Sequence, residues 1–235
     1  MSTPQTRWEQ NWIHDSSRWQ SYADKFAHYY ADGTDMDGEA RFVDMLAPRH
    51  ATVLDAGCGT GRVAAGIAAR GHRVVGVDKD AGLVQIGGQR YPGLPLLVHD
   101  LVALDSAILV AAGQPDSFDV IVCPGNVMVY LAAGTERQVL ANLSALLKPG
   151  GRVVFGFATD REYTVDGLDS DAQAVGLAFE HRFGTWQLDL FDADADWAVS
   201  VFRAAGRAVP ADGPDGRWIG KGNSDEASRS TAEGR

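Results

Sequence analysis

From residue 51 onward, short apolar runs alternate with turns and helix-like segments. The runs "ATVLDAG" (51–57), "HRVVGVD" (72–78), "LPLLVHD" (94–100), "FDVIVCPG" (118–125) and "GRVVFGFA" (151–158) have the length and the β-branched content of strands. Helix-like segments fill the gaps at about 61–70, 80–90, 104–112 and 135–147, and "KPGG" (148–151) stops the last of them before the fifth strand. Strands joined through helices run parallel, so the pattern predicts an α/β sheet with helices on both faces.

After residue 158 the pattern changes. The span 159–176 is polar and predicts a short helix over the active face. "LAFEHRFGTWQLDLF" (177–191) and "DWAVSVFRAAG" (196–206) are β-rich and separated only by the acidic turn "DADAD". So short a connection makes the two strands antiparallel, a hairpin at one edge of the sheet and the sixth and seventh strands overall. Residues 1–48 stand apart: Trp8, Trp12, Trp19, Tyr22, Phe26, Tyr29 and Tyr30 crowd there, several of them at helical spacing. They predict an N-terminal helical segment packed on the domain of residues 49–206, and its inner face is placed to serve as a lid over a ligand. The tail, residues 207–235, is rich in Gly, Pro, Ser and charge and predicts disorder, with Trp218 and Ile219 as its docking side chains.

Composition narrows the function. A chain of 235 residues, 45% hydrophobic, builds one α/β domain with terminal additions. A net charge of −10 argues against nucleic acid, whose binding rests on Lys and Arg releasing counterions. The two cysteines, Cys58 and Cys123, have neither disulfide nor metal spacing, which suits a reducing cytoplasm, and the six histidines show no ligand spacing. No apolar run approaches the roughly 18 residues that span a bilayer, and the N-terminus has no apolar leader core, so a membrane partner is not expected.

The chemistry concentrates at "VLDAGCGTGR" (53–62). Gly57, Gly59 and Gly61 let the backbone turn tightly and approach a ligand with no Cβ in the way. A dinucleotide fingerprint needs its third glycine five residues after the first; that position is Arg62, and Asp55 stands where a pyrophosphate would be repelled. Asp78 closes the second strand, placed to accept hydrogen bonds from ribose hydroxyls, and Asp100 closes the third, placed to accept one from an exocyclic amine such as adenine N6. Each acid alone could be a cap or turn residue. Three at successive strand ends facing one crevice describe an adenosine with a positively charged arm.

In order and spacing, "VLDAGCGTG", "VVGVD", "LLVHD", "FDVIVCPGNVMVYL" and "LLKPGGRVVFGF" resemble the successive motifs of class I S-adenosylmethionine-dependent methyltransferases of the small-molecule type, over roughly residues 50–158. The resemblance implies a Rossmann-like, doubly wound sheet of seven strands, mostly parallel with an antiparallel hairpin at one edge. It implies that Gly57, Cys58, Gly59 and Gly61 border the methionine part of the cofactor and that Asp55 holds its ammonium. Asp78 would take the ribose hydroxyls, Lys79 would lie beside the adenine, and Asp100 with the Leu101 amide would read its edge. Cys123 would offer a backbone carbonyl, and Asn126 and Met128 would face the transferable methyl. The product would be S-adenosylhomocysteine.

A sulfonium methyl is already activated, so orientation, proximity and exclusion of water are the protein's main contributions and no base is obligatory. Where the acceptor is a hydroxyl, His28, Tyr29, Tyr30 and His181 are the candidates for a base. The fourth strand ends "CPGN" and lacks the pattern of amide and nucleobase methylation, and no acidic cluster for a metal is evident. A small-molecule acceptor is the expectation, methylated on oxygen, nitrogen or carbon. The alternatives are a cofactor-sensing module without turnover and a Rossmann-type oxidoreductase.

Overall fold

The computed structural model describes residues 4–12 and 17–206; the tail predicted for 207–235, with Trp218 and Ile219, lies outside the described residues. The elements run α1 (Arg7–Trp12), α2 (Arg18–Ala31), α3 (Gly38–Leu46), β1 (Thr52–Ala56), α4 (Arg62–Ala68), β2 (Arg73–Asp78), α5 (Ala81–Arg90), β3 (Leu96–Val98), α6 (Ser106–Ala111), β4 (Phe118–Cys123), α7 (Val127–Tyr130), α8 (Glu136–Ala145), β5 (Leu147–Ala158), α9 (Val165–Ala174), β6 (Ala178–Phe183) and β7 (Trp197–Arg203). One seven-stranded sheet has the order β3-β2-β1-β4-β5-β7-β6. β1 to β5 are parallel, and β7 is antiparallel to both of its neighbours. The chain winds outward from β1 in one direction and from β4 in the other. That reversal opens a crevice at the carboxyl ends of β1 and β4, where doubly wound sheets bind ligands.

Strand alternation divides the core in two. Leu54, Ala56, Val75, Val77, Ile121, Val153 and Phe155 face the layer of α6, α7, α8 and α9, meeting Leu109, Val139, Leu140, Leu143 and Leu168. Val53, Val74, Val120, Val122, Val154 and Val199 face α3 and α4, meeting Phe42, Val43, Val63 and Ile67. A strand buried on both faces reads as a continuous apolar run, which is why β1, β2, β4 and β5 are so plain in the sequence. Within residues 1–48, α3 is therefore a wall of the core: the Phe42 ring meets Phe183 and Trp186 edge-on, with centroids 5.8 and 5.5 Å away.

The structure corrects several sequence expectations. β3 is only three residues long, because Pro95 has no N–H to give the ladder, and Asp100 lies beyond its end. The predicted tight hairpin is wide. β6 stops at Phe183, and residues 184–196 form a loop closed by Thr185 and Asp189, whose side chains are hydrogen-bonded at 2.7 Å. The strand predicted through residue 191 is cut short accordingly, although the antiparallel pair at the sheet edge stands. The helix expected over the active face is α9, and it packs against α8 and β6 by burying Leu168 and Ala172. "KPGG" lies inside the irregular start of β5, where the register against β4 shifts between Phe118 and Val120. α7, a single turn after β4, is not evident in the sequence.

Candidate functional site

A cavity of about 830 Å³ opens at the crevice. Its floor is the turn after β1. Gly57, Gly59 and Gly61 have φ of 82°, 53° and 76°, the left-handed region where side chains are strained. The turn is stitched to β2: the Gly57 and Cys58 amides donate to the Val77 carbonyl, and the Gly59 amide donates to Asp78 Oδ2 at 2.8 Å. Asp78 Oδ1 accepts from the Asp80 amide at 2.8 Å, so one carboxylate joins the glycine turn to the start of α5. Space is tight at Gly57, where a Cβ would stand 2.3 Å from a Val127 methyl.

Asp55 is fully buried beneath the turn. Its Oδ2 accepts from the Ala64 amide at 2.9 Å, while Oδ1, buried too, has no hydrogen-bond partner. Burial pushes this carboxyl up to about 7; the Ala64 amide and Arg62 pull against that rise, and Asp78 and Glu39 add to it. Asp78 is pushed up to about 6, again mainly by burial. An orphaned oxygen on an acidic group at a cavity wall has a strong demand for a donor, best met by a cation.

Asp100 borders the same cavity. Its Oδ1 accepts from the Val102 amide at 3.0 Å, and Oδ2 lies 3.1 Å from Lys79 Nζ, too oblique for a directed hydrogen bond. Lys79 also meets Glu9 Oε2 at 3.0 Å, which ties α1 to this end. On the opposite wall Asn126, with φ 71°, accepts from the Ala158 amide through Oδ1 at 2.8 Å.

Of the sequence candidates, Asp55, Gly57, Cys58, Gly59, Asp78, Lys79, Asp100, Leu101 and Asn126 line the cavity. Gly61, Cys123 and Met128 do not. Gly61 makes room for the Leu96 side chain, 3.0 Å from where a Cβ would be. Met128 and Cys123 are side chains of the first core cluster, so the expectation that Met128 faces a ligand is corrected: α7 turns it inward. The Cys58 sulfur packs over Gly76, and burial raises both thiols, which disfavours the thiolate. The candidate bases are also elsewhere. His28 is exposed on α2 and paired with Asp32 at 3.1 Å, and the Tyr29 ring packs against Phe26. His181 sits exposed on the edge strand β6 beside Phe183. None of these three lines the cavity. The Tyr30 side chain lies outside the described residues.

Sequence reasoning missed Asp80. It caps α5, its Oδ1 accepting from the Gly82 and Leu83 amides, and it also receives two indole N–H groups: Trp19 at 2.6 Å and Trp8 at 3.0 Å. Both rings line the cavity with Phe26 and Tyr130. Gly82 exists for this contact, since a Cβ there would fall 2.4 Å from the Trp19 ring. An aspartate directly before a helical segment is a cap signal; its second task had none. Asp80→Asn keeps the cap but turns an amide N–H toward one indole. Hydrogen–deuterium exchange in α1 and the start of α2 is expected to accelerate with α5 unchanged; equal protection in both proteins would deny Asp80 the role of tether.

Among the described residues no three His, Cys, Asp or Glu side chains are placed to hold a metal ion, and no helix is long and apolar enough to cross a membrane.

Residues 53–151 match the protein family described as "Methyltransferase domain". A crystal structure of a TehB-like SAM-dependent methyltransferase from Corynebacterium glutamicum is 34% identical to the chain, covering 82% of it and 100% of the other protein, with a TM-score of 0.74. A ubiquinone biosynthesis O-methyltransferase of Chromobacterium violaceum is 33% identical over 56% of this chain and 60% of its own length. A dTDP-4-amino-2,3,4,6-tetradeoxy-D-glucose N,N-dimethyltransferase of Saccharopolyspora spinosa is 30% identical over 54% of this chain and 50% of its own. The match thus spans only about half to three-fifths of these curated relatives.

Proposed function

We propose, because the chain belongs to the S-adenosylmethionine-dependent methyltransferases, that it moves a methyl group from S-adenosylmethionine to an oxygen, nitrogen or carbon of a small-molecule acceptor. The observation that carries the reading is Asp55 Oδ1, a buried acceptor lacking a partner at the wall of a cavity floored by a glycine turn. An ammonium is the donor it lacks, and the amino-acid end of this cofactor supplies one. The glycine turn, Asp78 at the end of β2, Asp100 beyond β3 and the cavity volume all fit the rest of the molecule.

In this reading Asp55 receives the ammonium and Asp78 receives the ribose hydroxyls through lone pairs left over from the Gly59 and Asp80 amides. Asp100 and the Leu101 amide meet the adenine edge beside Lys79, and Asn126 borders the methyl. When bound, the cofactor supplies a methyl on a sulfonium, already a good leaving group. The chain's own part is to orient and to keep water out. Trp8, Trp19 and Phe26 form the cover, held at Asp80, and together with Tyr130 give the acceptor an aromatic wall. His28, Tyr29 and His181 stand away from the cavity, so none of these three is proposed as a base. The two curated relatives methylate an oxygen and an amine, and both atoms remain within the proposal. The protein is read as cytoplasmic, without nucleic-acid or membrane partners.

The test is transfer of radiolabelled methyl from S-adenosylmethionine into small metabolites of a broad extract; persistent failure, with no binding of S-adenosylhomocysteine, would sink the reading. Asp78→Ala is expected to weaken S-adenosylhomocysteine by roughly 1–3 kcal/mol, the usual cost of removing hydrogen bonds to a charged group. Calorimetry on the folded variant decides it, and unchanged affinity would take Asp78 out of the site.

A further inference from the structure

We propose that Asn126 and Trp197 hold an oxyanion on the acceptor and that this oxygen takes the methyl, so the molecule methylated is a carboxylate or an acidic phenol or enol and not an amine. The inference rests on the cofactor reading above and narrows it to one class of acceptor. The walls of the cavity differ in charge. Every Asp, Glu, Lys and Arg among the described residues that line it lies at or before Asp100 in the chain. From β4 onward the polar side chains of the lining are those of Asn126, Tyr130 and Trp197, and each has a proton to donate. This wall adjoins the glycine turn, since Val127, next to Asn126, is the side chain that crowds Gly57.

The direction of the Asn126 amide is fixed by its partner. The Ala158 N–H can only donate, so the Asn126 oxygen is the atom that receives it, at 2.8 Å, and the NH2 group points away from that bond. The backbone is clamped as well: the Asn126 amide donates to the Gly156 carbonyl at 3.1 Å, and its carbonyl receives the Val129 and Tyr130 amides of α7. Among the described residues Nδ2 has no hydrogen-bond partner. Trp197 stands opposite Ala158 in the register of β5 and β7, and the strand order β4-β5-β7 puts it on the other side of Ala158 from Asn126. Its ring lines the cavity, and its Nε1 is buried with no hydrogen-bond partner. A buried N–H is costly until an acceptor reaches it.

Two such donors suit an atom that only accepts, whereas an ammonium would set N–H against N–H. An oxyanion has three lone pairs: two accept from Asn126 and Trp197, and the third faces the methyl. The oxygen gives that electron pair to the methyl carbon as the bond to sulfur breaks, and sulfur keeps the electrons of that bond. The charges of oxyanion and sulfonium cancel, and no proton has to be placed. Hydrogen bonds to the oxygen are strongest before its charge is lost, so Asn126 and Trp197 select and aim the acceptor and do not lower the barrier by themselves. They are positioning residues.

The test titrates small paired probes against the full chain holding S-adenosylhomocysteine, by ligand-observed NMR at pH 8. Benzoate and 4-nitrophenolate carry an oxyanion, benzamide and 4-nitroanisole are their neutral counterparts, and benzylammonium carries the opposite charge. The native protein is expected to bind at least one oxyanion roughly 10-fold or more tightly than its neutral counterpart, and which one separates carboxylate from phenolate. Asn126→Asp keeps an oxygen for the Ala158 amide and puts a negative oxygen in place of the NH2 group. It is expected to cancel the preference and to gain affinity for benzylammonium, and Trp197→Phe is expected to reduce the preference by a smaller factor. A native protein that prefers benzylammonium or the neutral probes, or binds no probe, would overturn the inference, as would an Asn126→Asp protein that still prefers the oxyanion. Equal loss of charged and neutral probes in Asn126→Asp would overturn it too, since Asn126 would then only brace α7. A native protein that takes up no S-adenosylhomocysteine overturns the cofactor reading and this one with it.

Discussion

Asp55→Asn is expected to stabilise the ligand-free protein at pH 8 while weakening its hold on S-adenosylhomocysteine. The Asp55 carboxyl is raised from 3.8 to about 7 by burial. Between those values the folded chain binds a proton that the unfolded chain has released, so stability falls as pH rises. The contribution is intact below pH 3.8 and is lost as pH climbs through about 7, a change of roughly 4 kcal/mol on the pKa scale. Asparagine never ionises; it keeps an oxygen for the Ala64 amide and escapes the alkaline part of that loss, for a gain of about 1–3 kcal/mol at pH 8. Urea unfolding at pH 5 and pH 8 reads this directly. A variant no more stable than the native protein at pH 8 would mean that Asp55 is not strained there. Binding should move the other way. The ammonium favours the ionised carboxylate, so native affinity rises with pH through about 7, with proton release visible in calorimetry in different buffers. Asp78, raised to about 6, adds to the lower part of that rise. In the variant the slope near pH 7 disappears and affinity at pH 8 drops roughly 10- to 100-fold.

Gly57→Ala should be the more destructive change, and for reasons unrelated to charge. At φ 82° any side chain meets backbone strain of about 1–2 kcal/mol. The added Cβ would also stand 2.3 and 2.7 Å from the two methyls of Val127 and 3.0 Å from its Cβ, a branched side chain with little freedom to retreat. Val127 opens α7 and lines the cavity, so relief means moving α7 or unmaking the turn. Loss of stability by about 2–4 kcal/mol and loss of measurable cofactor affinity are expected together. Val127→Ala in the same chain should recover part of the stability by removing the clash and should not recover the φ cost. Thermal unfolding of the single and double variants checks both, and a Gly57→Ala protein that binds S-adenosylhomocysteine normally would show the turn to be far more pliant than its geometry states.

Elements buried on both faces were legible because their apolar runs are continuous, and the acids at Asp55, Asp78 and Asp100 were legible because each follows such a run. Most of what escaped had its cause far away in the chain. Pro95 is a local signal for the short β3, but the wide loop after β6 depends on which strand pairs with which. Met128 looked like a cavity residue because it follows β4 closely, but α7 is a single turn, and a single turn leaves no periodicity from which to read its inward face. Asp80 showed its local half, the cap, and hid its partners Trp8 and Trp19, 72 and 61 residues away. Arg62 figured only as the residue that spoils a dinucleotide motif, since its ties to Met36, Glu39 and Phe26 are tertiary.

Those long separations also bear on how the chain is made. Trp8 and Trp19 leave the ribosome before the residue that holds them, since Asp80 follows 72 and 61 residues later, and the partners of Arg7, Glu136 and Glu162, come 129 and 155 residues after it. At about 5–20 residues per second the tryptophan-rich segment waits on the order of ten seconds or more for the surface it will cover. Synthesis, more than the finished fold, is then the stage at which this protein is most exposed to aggregation and to capture by chaperones.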